Sequence, residues 1–556
     1  MALSEISVAV VGLGAFGLVA LKNLREEGFN ATGFDRNLYV GGLWQFTEKD
    51  QTSVLESTTV NISKERGCFT DFPFPKGKHR HISSHASAAD VQKYLADYAA
   101  HFELLPYIQL GATVLSVTRD DQSKKWVLHV VGADGASSLL SFAKVVVATG
   151  TNNRPVVPTL KGQELYKGQI LHSWSFKRPV PSDYQGKRVM VVGIGNSAAD
   201  TATSLVGIAK KILLSHRHGA YILPRSQPDG QPLDHSLTYR KTRVSLAIQR
   251  YLPRQWEAMS NNMLGQIQNA AFKLKPEWRI NPAPSFVHSV PTVTDTLIPA
   301  LEKGEIESVE MAKEIAGDFS VELADGEVVE VDTIIWCTGY HVDYSIVGDL
   351  DPTLETRHTD VSDRALEMVP PLLTASSASK PTRFEPPIPR LYQNLLSLTH
   401  PDSLAFLGTA AIPSAAFQIY DLATMAIAQL WKPGDSSPSL PSRHEMITWV
   451  RGHLAWANAI LARGAFNTRM VYAPDWNDWL DETSGCRVNE HLGYGRKGWA
   501  FWWNDRKFCN ALMDGIYSPH VYRLFDSNGR RKVWAGAKEA IISVHEEAKR
   551  RRKEHM

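Results

Sequence analysis

Apolar residues cluster from Val8 to Val11, give way to Gly12, Gly14 and Gly17, and resume at Leu18, Leu21 and Leu24 at three-residue spacing. That pattern predicts a buried strand, a glycine turn and a helix. A second run, Ala31 to Phe34, predicts a strand ending in Asp35 and Arg36. The same order returns after Lys187-Arg188, where VMVV meets Gly193, Gly195 and Ala198 and passes into a small-residue helix. Two more runs, KVVVATGT at Lys144 to Thr151 and DTIIWCTGY at Asp332 to Tyr340, end in Thr149-Gly150 and Thr338-Gly339, where a cofactor can pass close to backbone. Ser345 to Pro389 reads as an irregular excursion, and Pro433 to Ser442 as a loop ahead of a helical C-terminal segment.

The first glycine turn carries its own chemistry. Gly12 permits a tight turn, Gly14 lets backbone approach a pyrophosphate, Gly17 allows helix to pack on strand, and the helix N-terminus attracts phosphate charge. Asp35 follows Gly12 by 23 positions, near the offset of about 20 at which an acidic residue meets a ribose hydroxyl. At the second turn no acidic residue ends the next strand; KKILLSHRHGAYILPR puts Ser215, His216 and Arg217 there. An arginine pairs with a 2′-phosphate that a carboxylate would repel, so the second nucleotide is expected to be NADP rather than NAD.

Composition narrows the picture. At 556 residues, roughly three or four compact units are expected. Sixty basic against 58 acidic side chains give no field that argues for nucleic acid or an anionic membrane. Cys68, Cys337, Cys486 and Cys509 form no C-x-x-C pair, which fits a reducing compartment and removes both a redox dithiol and a zinc ribbon. Ile6 to Leu21 lacks a basic leader and is too short for a membrane span, so a cytoplasmic protein without an anchor is expected. His79, His81 and His85 have ligand-like spacing but no carboxylate or cysteine set beside them, so no metal site is expected. The run HEEAKRRRKEHM at the end reads as a solvated helix end.

Just ahead of the second glycine turn stands YKGQILHSWSF, with Tyr166, Gly168, His172 and Phe176. It resembles the F-x-G-x-x-x-H-x-x-x-F/Y fingerprint of the flavin-containing monooxygenases, with Tyr in the first position. GGLW at Gly41 to Trp44, NISKERGCFTDFPFP at Asn61 to Pro75, DVQKYLADYAAHFEL at Asp90 to Leu104, LAFLG at Leu404 to Gly408, YSPHVYRL at Tyr517 to Leu524 and WAGAKEAI at Trp534 to Ile541 also look like family segments. The resemblance implies an α/β fold with two Rossmann-like dinucleotide-binding domains. An FAD domain at 1–176 and 327–432 would be interrupted by an NADP domain at 177–326, and a helical extension at 433–556 would pack on the FAD domain.

By the same likeness FAD would be held by Gly12, Gly14, Ala15, Phe16, Gly17, Asp35, Arg36, Gly42, Leu43, Trp44, Val60 and Ile62, with Thr149 and Gly150. NADP would lie along Gly193, Gly195, Asn196, Ser197, Ala198, Ala199, Asp200, Ser215 and Arg217, and Thr338 and Gly339 would also border a cofactor. Asn61 matches the family asparagine beside the flavin that helps retain its oxygen adduct, a 4a-hydroperoxide. An amide can donate to one adduct oxygen and accept from its proton without ionising.

The implied reaction is NADPH- and O2-dependent oxygenation of a small-molecule amine nitrogen or sulfur; self-association stays open. Membrane-bound animal members end in a hydrophobic anchor, which is not expected here, and TAAIPSAAF replaces the Gln-Pro pair after LAFLG. A Baeyer–Villiger monooxygenase is the nearest alternative, but its fingerprint ends in Trp followed by Pro or Asp, against Phe176-Lys177 here. A non-catalytic NADP sensor would account for one glycine turn, not two. His172 reads as a packed residue rather than a general base, and the aromatic segment Lys497 to Phe508 as core packing rather than a tunnel wall.

Overall fold

A computed structural model describes residues 2–75, 84–354, 388–434, 438–464, 468–525 and 532–555. The chain begins with β1 (Ser7–Val11), α1 (Ala15–Glu26) and β2 (Asn30–Asp35), then a short ladder of β3 (Thr59–Ser63) with β4 (His85–Ser87). Helix α2 (Ala88–His101) follows, its first turn closed by a Ser87/Asp90 capping box. With β5 (Ile108–Leu110) and β6 (Lys144–Val147) the first sheet takes shape. Its order is Leu391–Tyr392, Leu396–Ser397, Leu404–Phe406, β6, β1, β2, β5. At the centre β6, β1 and β2 run parallel, with Val10 opposite both Gly33 and Val146. Such strands are covered on both faces, which is why they read as unbroken apolar runs rather than alternating ones. The helix Ala416–Trp431 packs against α1, and its side chains are buried from Gln418 onward.

The second sheet is parallel throughout, in the order Gln169–His172, Thr333–Trp336, Arg188–Val192, Lys211–Ser215, Glu307–Val309. This moves both expected domain boundaries. Gln169–His172 precedes 177 and Thr333–Trp336 follows 326, yet the two strands pair with each other, Leu171 opposite Ile335, inside the second sheet. The run DTIIWCTGY therefore serves the second domain, not the first. Its apolar residues could not reveal the partner, because a buried parallel strand looks alike in either sheet.

The C-terminal segment is helical, as expected, with helices at Arg443–Ala462, Ala473–Thr483, Arg496–Asn504, Arg506–Asp514 and Ala537–His555. Two readings of it change. In Lys497 to Phe508, Phe508 is buried and Phe501 packs beside the core, but Trp499 is 55% and Trp503 82% exposed, so core packing fails for those two indoles. The charged terminal run continues the last helix and is not merely solvated: Arg551 reaches the buried Glu65 at 3.0 Å, and Arg552 reaches Asp229 at 3.0 Å. Among the described residues no helix is long and apolar enough to cross a membrane, and no cluster of three potential metal ligands occurs. His79 and His81 lie outside the described residues; His85 is buried in β4.

Candidate active site

The first glycine turn is dictated by space. Gly12 has φ +95°, and a Cβ there would lie 2.4 Å from the Ala148 carbonyl oxygen; one on Gly17 would lie 1.8 Å from that of Gly12. Gly14 ends β1's turn and starts α1, leaving the first N–H groups of that helix without carbonyl partners. Ala15 is buried, and Phe16 turns away to stack on Tyr420 at 3.9 Å, so both contribute backbone at the turn. Gly42, at φ +57°, brings the GGLW segment against Gly14: a Cβ on Gly42 would stand 3.0 Å from the Gly14 Cα.

Asp35 is buried at the end of β2. Its two oxygens accept the N–H groups of Leu13 (2.7 Å) and Asn37 (2.8 Å), and burial raises its carboxyl above the usual range. Each oxygen keeps a free lone pair for a ribose hydroxyl. Arg36 is exposed beside it, and Gly150, at φ +92° beyond β6, has open space where a Cβ would stand.

The second turn repeats the arrangement. Gly193 has φ +132°, with the Cys337 carbonyl oxygen 2.8 Å from where a Cβ would sit, whereas the same position on Gly195 meets nothing within 4 Å. Ala198 and Ala199 are buried under helix Asn196–Ser204. Ser215 is a correction. Its hydroxyl donates to the Glu310 carbonyl and accepts the Ala312 N–H, both at 2.9 Å, so this buried side chain is a stitch between strands and is removed from the nucleotide-binding set. Arg217, two residues past that strand, is exposed. Thr338 and Gly339 are fastened to the linker, the hydroxyl donating to the Val156 carbonyl and the Gly339 carbonyl accepting the Val156 N–H at 3.0 Å.

Between the two turns lies a cavity of about 390 Å³. Leu43, Trp44, Val60, Asn61 and Ile62 line it from the first domain, and Asn196, Ser197 and Asp200 from the second. The sequence alone did not single out Ser173, Tyr340, Phe74 or Phe417, which also line it, although all four sit inside segments read for other reasons. Asn61 Oδ1 is buried without a hydrogen-bond partner. An orphaned amide oxygen costs about 1–3 kcal/mol and marks a place where a ligand donor belongs. Burial raises the Asp200 carboxyl above its usual range, an effect that the charge of Arg225 partly offsets.

The fingerprint residues hold the linker. Tyr166 donates to the Val331 carbonyl at 3.0 Å, and a Cβ on Gly168 would collide with that ring. His172 is buried edge-on to Tyr340; its Nδ1 accepts the Trp174 N–H at 3.0 Å, and burial depresses its pKa to about 4. Trp174 Nε1 donates to Thr52 at 2.8 Å, tying the second domain's first strand to the cavity wall.

The family model of flavin-binding monooxygenase-like proteins matches residues 5–376. The chain is 46% identical to monooxygenase aurF of Gibberella zeae, over 97% of each. It is 34% identical to dimethylaniline monooxygenase [N-oxide-forming] 2 of Rattus norvegicus, over 62% of this chain and 63% of that one. The S-allyl-L-cysteine S-oxygenase of Allium sativum has the same fold, with a TM-score of 0.59 at 20% identity over 97% of this chain and 98% of that structure.

Proposed function

Since this chain belongs to the flavin-binding monooxygenase-like family and is an FAD- and NADPH-dependent monooxygenase, we propose that it oxygenates an amine nitrogen or a sulfur of a small molecule in the cavity beside Asn61. The observation that carries this reading is the placement of a partnerless, buried Asn61 amide oxygen in one cavity with Asn196, Ser197 and Asp200 of the other dinucleotide domain.

Bound FAD supplies the activation of O2, with electrons from NADPH. The chain's own residues do the rest. The N-terminus of α1 and the carboxylate of Asp35 suit the FAD pyrophosphate and ribose; the open space at Gly195 suits the NADP pyrophosphate, and Arg217 its 2′-phosphate. Leu43, Trp44, Val60, Ile62 and Phe417 wall the cavity with apolar surface and keep bulk water from the reacting centre. Asn61 both donates and accepts there without a change of charge, so its hold on an oxygen atom does not depend on pH. None of these steps needs a side chain to act as general base, in keeping with the low basicity of His172.

The test is direct. Purified protein should be yellow and consume NADPH only with oxygen. A panel of tertiary amines, sulfides and ketones, read by mass spectrometry, should give products heavier by one oxygen from the amines or sulfides; lactones or esters from the ketones alone would move the reaction to the Baeyer–Villiger class.

A further inference from the structure

We propose that Asp234 and Arg225 are positioning residues for Asn61, through which the second domain grips both ends of the strand that carries it. This deepens, and rests on, the role given to Asn61 above. Asn61 is the middle residue of β3, whose ladder with β4 pairs Thr59 with Ser87 and Ser63 with His85. The stretch from Thr59 to Ser63 thus faces the shorter stretch from Ser87 to His85, and the residues between them, Asn61 included, bulge out of register. A bulge re-aims its side chains and releases them from ladder bonds, so something else must fix where they point.

That restraint comes from across the domain boundary. Asp234 Oδ2 accepts the Ser63 N–H at 2.9 Å and the Ser63 hydroxyl at 3.1 Å. At the other end Arg225 Nη2 donates to the Thr59 carbonyl at 3.2 Å. Arg225 is itself held by Asp295, through its backbone N–H at 2.9 Å and Nη1 at 3.2 Å. Asp234 is steadied by Arg66, which donates to its carbonyl at 3.3 Å. Both residues lie on the chain between two strands of the second sheet, Lys211–Ser215 and Glu307–Val309, and the Leu233 N–H, beside Asp234, donates to the Arg225 carbonyl at 2.8 Å; the helix that follows the strand before Lys211 presents Asn196, Ser197 and Asp200 to the cavity. Any displacement of the second domain pulls on Thr59 and Ser63 together, so the aim of the Asn61 amide follows the position of the nicotinamide-binding half.

The experiment uses the full-length, FAD-loaded protein with Asp234→Ala, Arg225→Ala, Asp234→Asn and Asn61→Ser. Hydrogen exchange over 59–63 reads the strand, and hydrogen peroxide formed per NADPH reads the consequence; FAD content and melting temperature show whether each variant folds. Either alanine change should accelerate exchange over 59–63 by about tenfold and raise the peroxide yield toward that of Asn61→Ser. Asp234→Asn keeps an oxygen acceptor for Ser63 and should return both readings toward the parent protein. Unchanged exchange overturns the proposal, as does faster exchange with an unchanged peroxide yield while Asn61→Ser uncouples. If Asn61→Ser itself leaves the yield unchanged, the Asn61 reading falls and takes the positioning role with it.

Discussion

Arg523 and Asp71 meet at 2.7 Å with both side chains buried, joining the C-terminal segment to the loop that follows Asn61. The same guanidinium binds Glu26 near the end of α1 at 3.0 Å, and Asp71 also pairs with Lys22 of that helix. Asp421 completes the cluster, accepting from Asn23 at 2.9 Å and from the Thr70 N–H and hydroxyl at 2.8 Å. Removing Arg523 takes one cation from Asp71 and from the half-buried Glu26, leaving Lys22 to face both; breaking a buried ion pair costs up to about 3–5 kcal/mol. Arg523→Ala should therefore lower the melting temperature by several degrees and loosen FAD, since α1 loses one of the anchors at its far end; calorimetry with a flavin release assay reads both.

Asn61→Ser shortens the side chain and removes the amide from the cavity. Gly12, Gly14 and Asp35, proposed above to hold FAD, are untouched, so FAD content should stay near one per chain while peroxide replaces oxygenated product. Simultaneous peroxide and product quantification at fixed NADPH consumption measures the shift; unchanged coupling removes Asn61 from the chemistry.

Arg217→Ala tests the choice of nicotinamide cofactor. With Ser215 engaged inside the sheet, Arg217 is the remaining candidate at that strand end for a 2′-phosphate. A hydrogen bond to a charged group is worth about 1.5–3 kcal/mol, so KM for NADPH should rise roughly 10- to 100-fold with little change for NADH. Equal losses for both nucleotides would take Arg217 out of the phosphate site.

Both glycine turns were legible because each demands a residue without a Cβ at fixed spacing, and sterics at Gly12, Gly17 and Gly193 enforce that demand. The extent of each domain was not. Gln169–His172 and Thr333–Trp336 carry the apolar residues of any buried strand, and only pairing decides their sheet. Ser215 misled for a related reason: its position at a strand end is right for a ribose, but nothing local announces that the Ala312 N–H and Glu310 carbonyl, far along the chain, claim its hydroxyl. Arg551 looked solvated because its partner Glu65 is distant in sequence and buried.

Gly195 and Gly193 separate binding from folding. A methyl group at Gly195 meets open space, so Gly195→Ala should leave the melting temperature within what about 0.5 kcal/mol produces, yet weaken NADPH by blocking the approach of its pyrophosphate. At Gly193, with φ +132° and the Cys337 carbonyl in the way, alanine should cost about 1–3 kcal/mol even without nucleotide. Equal stability of the two variants would show that the second turn tolerates a side chain throughout.

His172 gives the fold an acid-sensitive element. Its pKa falls from 6.5 to about 4 on folding because burial disfavours the charged ring. Between those values the unfolded chain binds a proton that the native state refuses, so stability rises with pH and is lost as pH drops from 6.5 toward 4. One pKa unit corresponds to about 1.36 kcal/mol; discounted for partial solvent access, the contribution is about 1–2 kcal/mol at pH 4. His453, depressed to about 4 by the same cause, acts in the same direction. His172→Phe should melt lower at pH 7, because the Trp174 N–H loses its acceptor, but its melting temperature should fall less steeply below pH 6.5 than that of the parent. The same variant should keep measurable NADPH- and O2-dependent product formation, because the ring is too weakly basic to serve as a general base at neutral pH. Loss of turnover with an intact fold and full FAD content would instead place His172 in the chemistry.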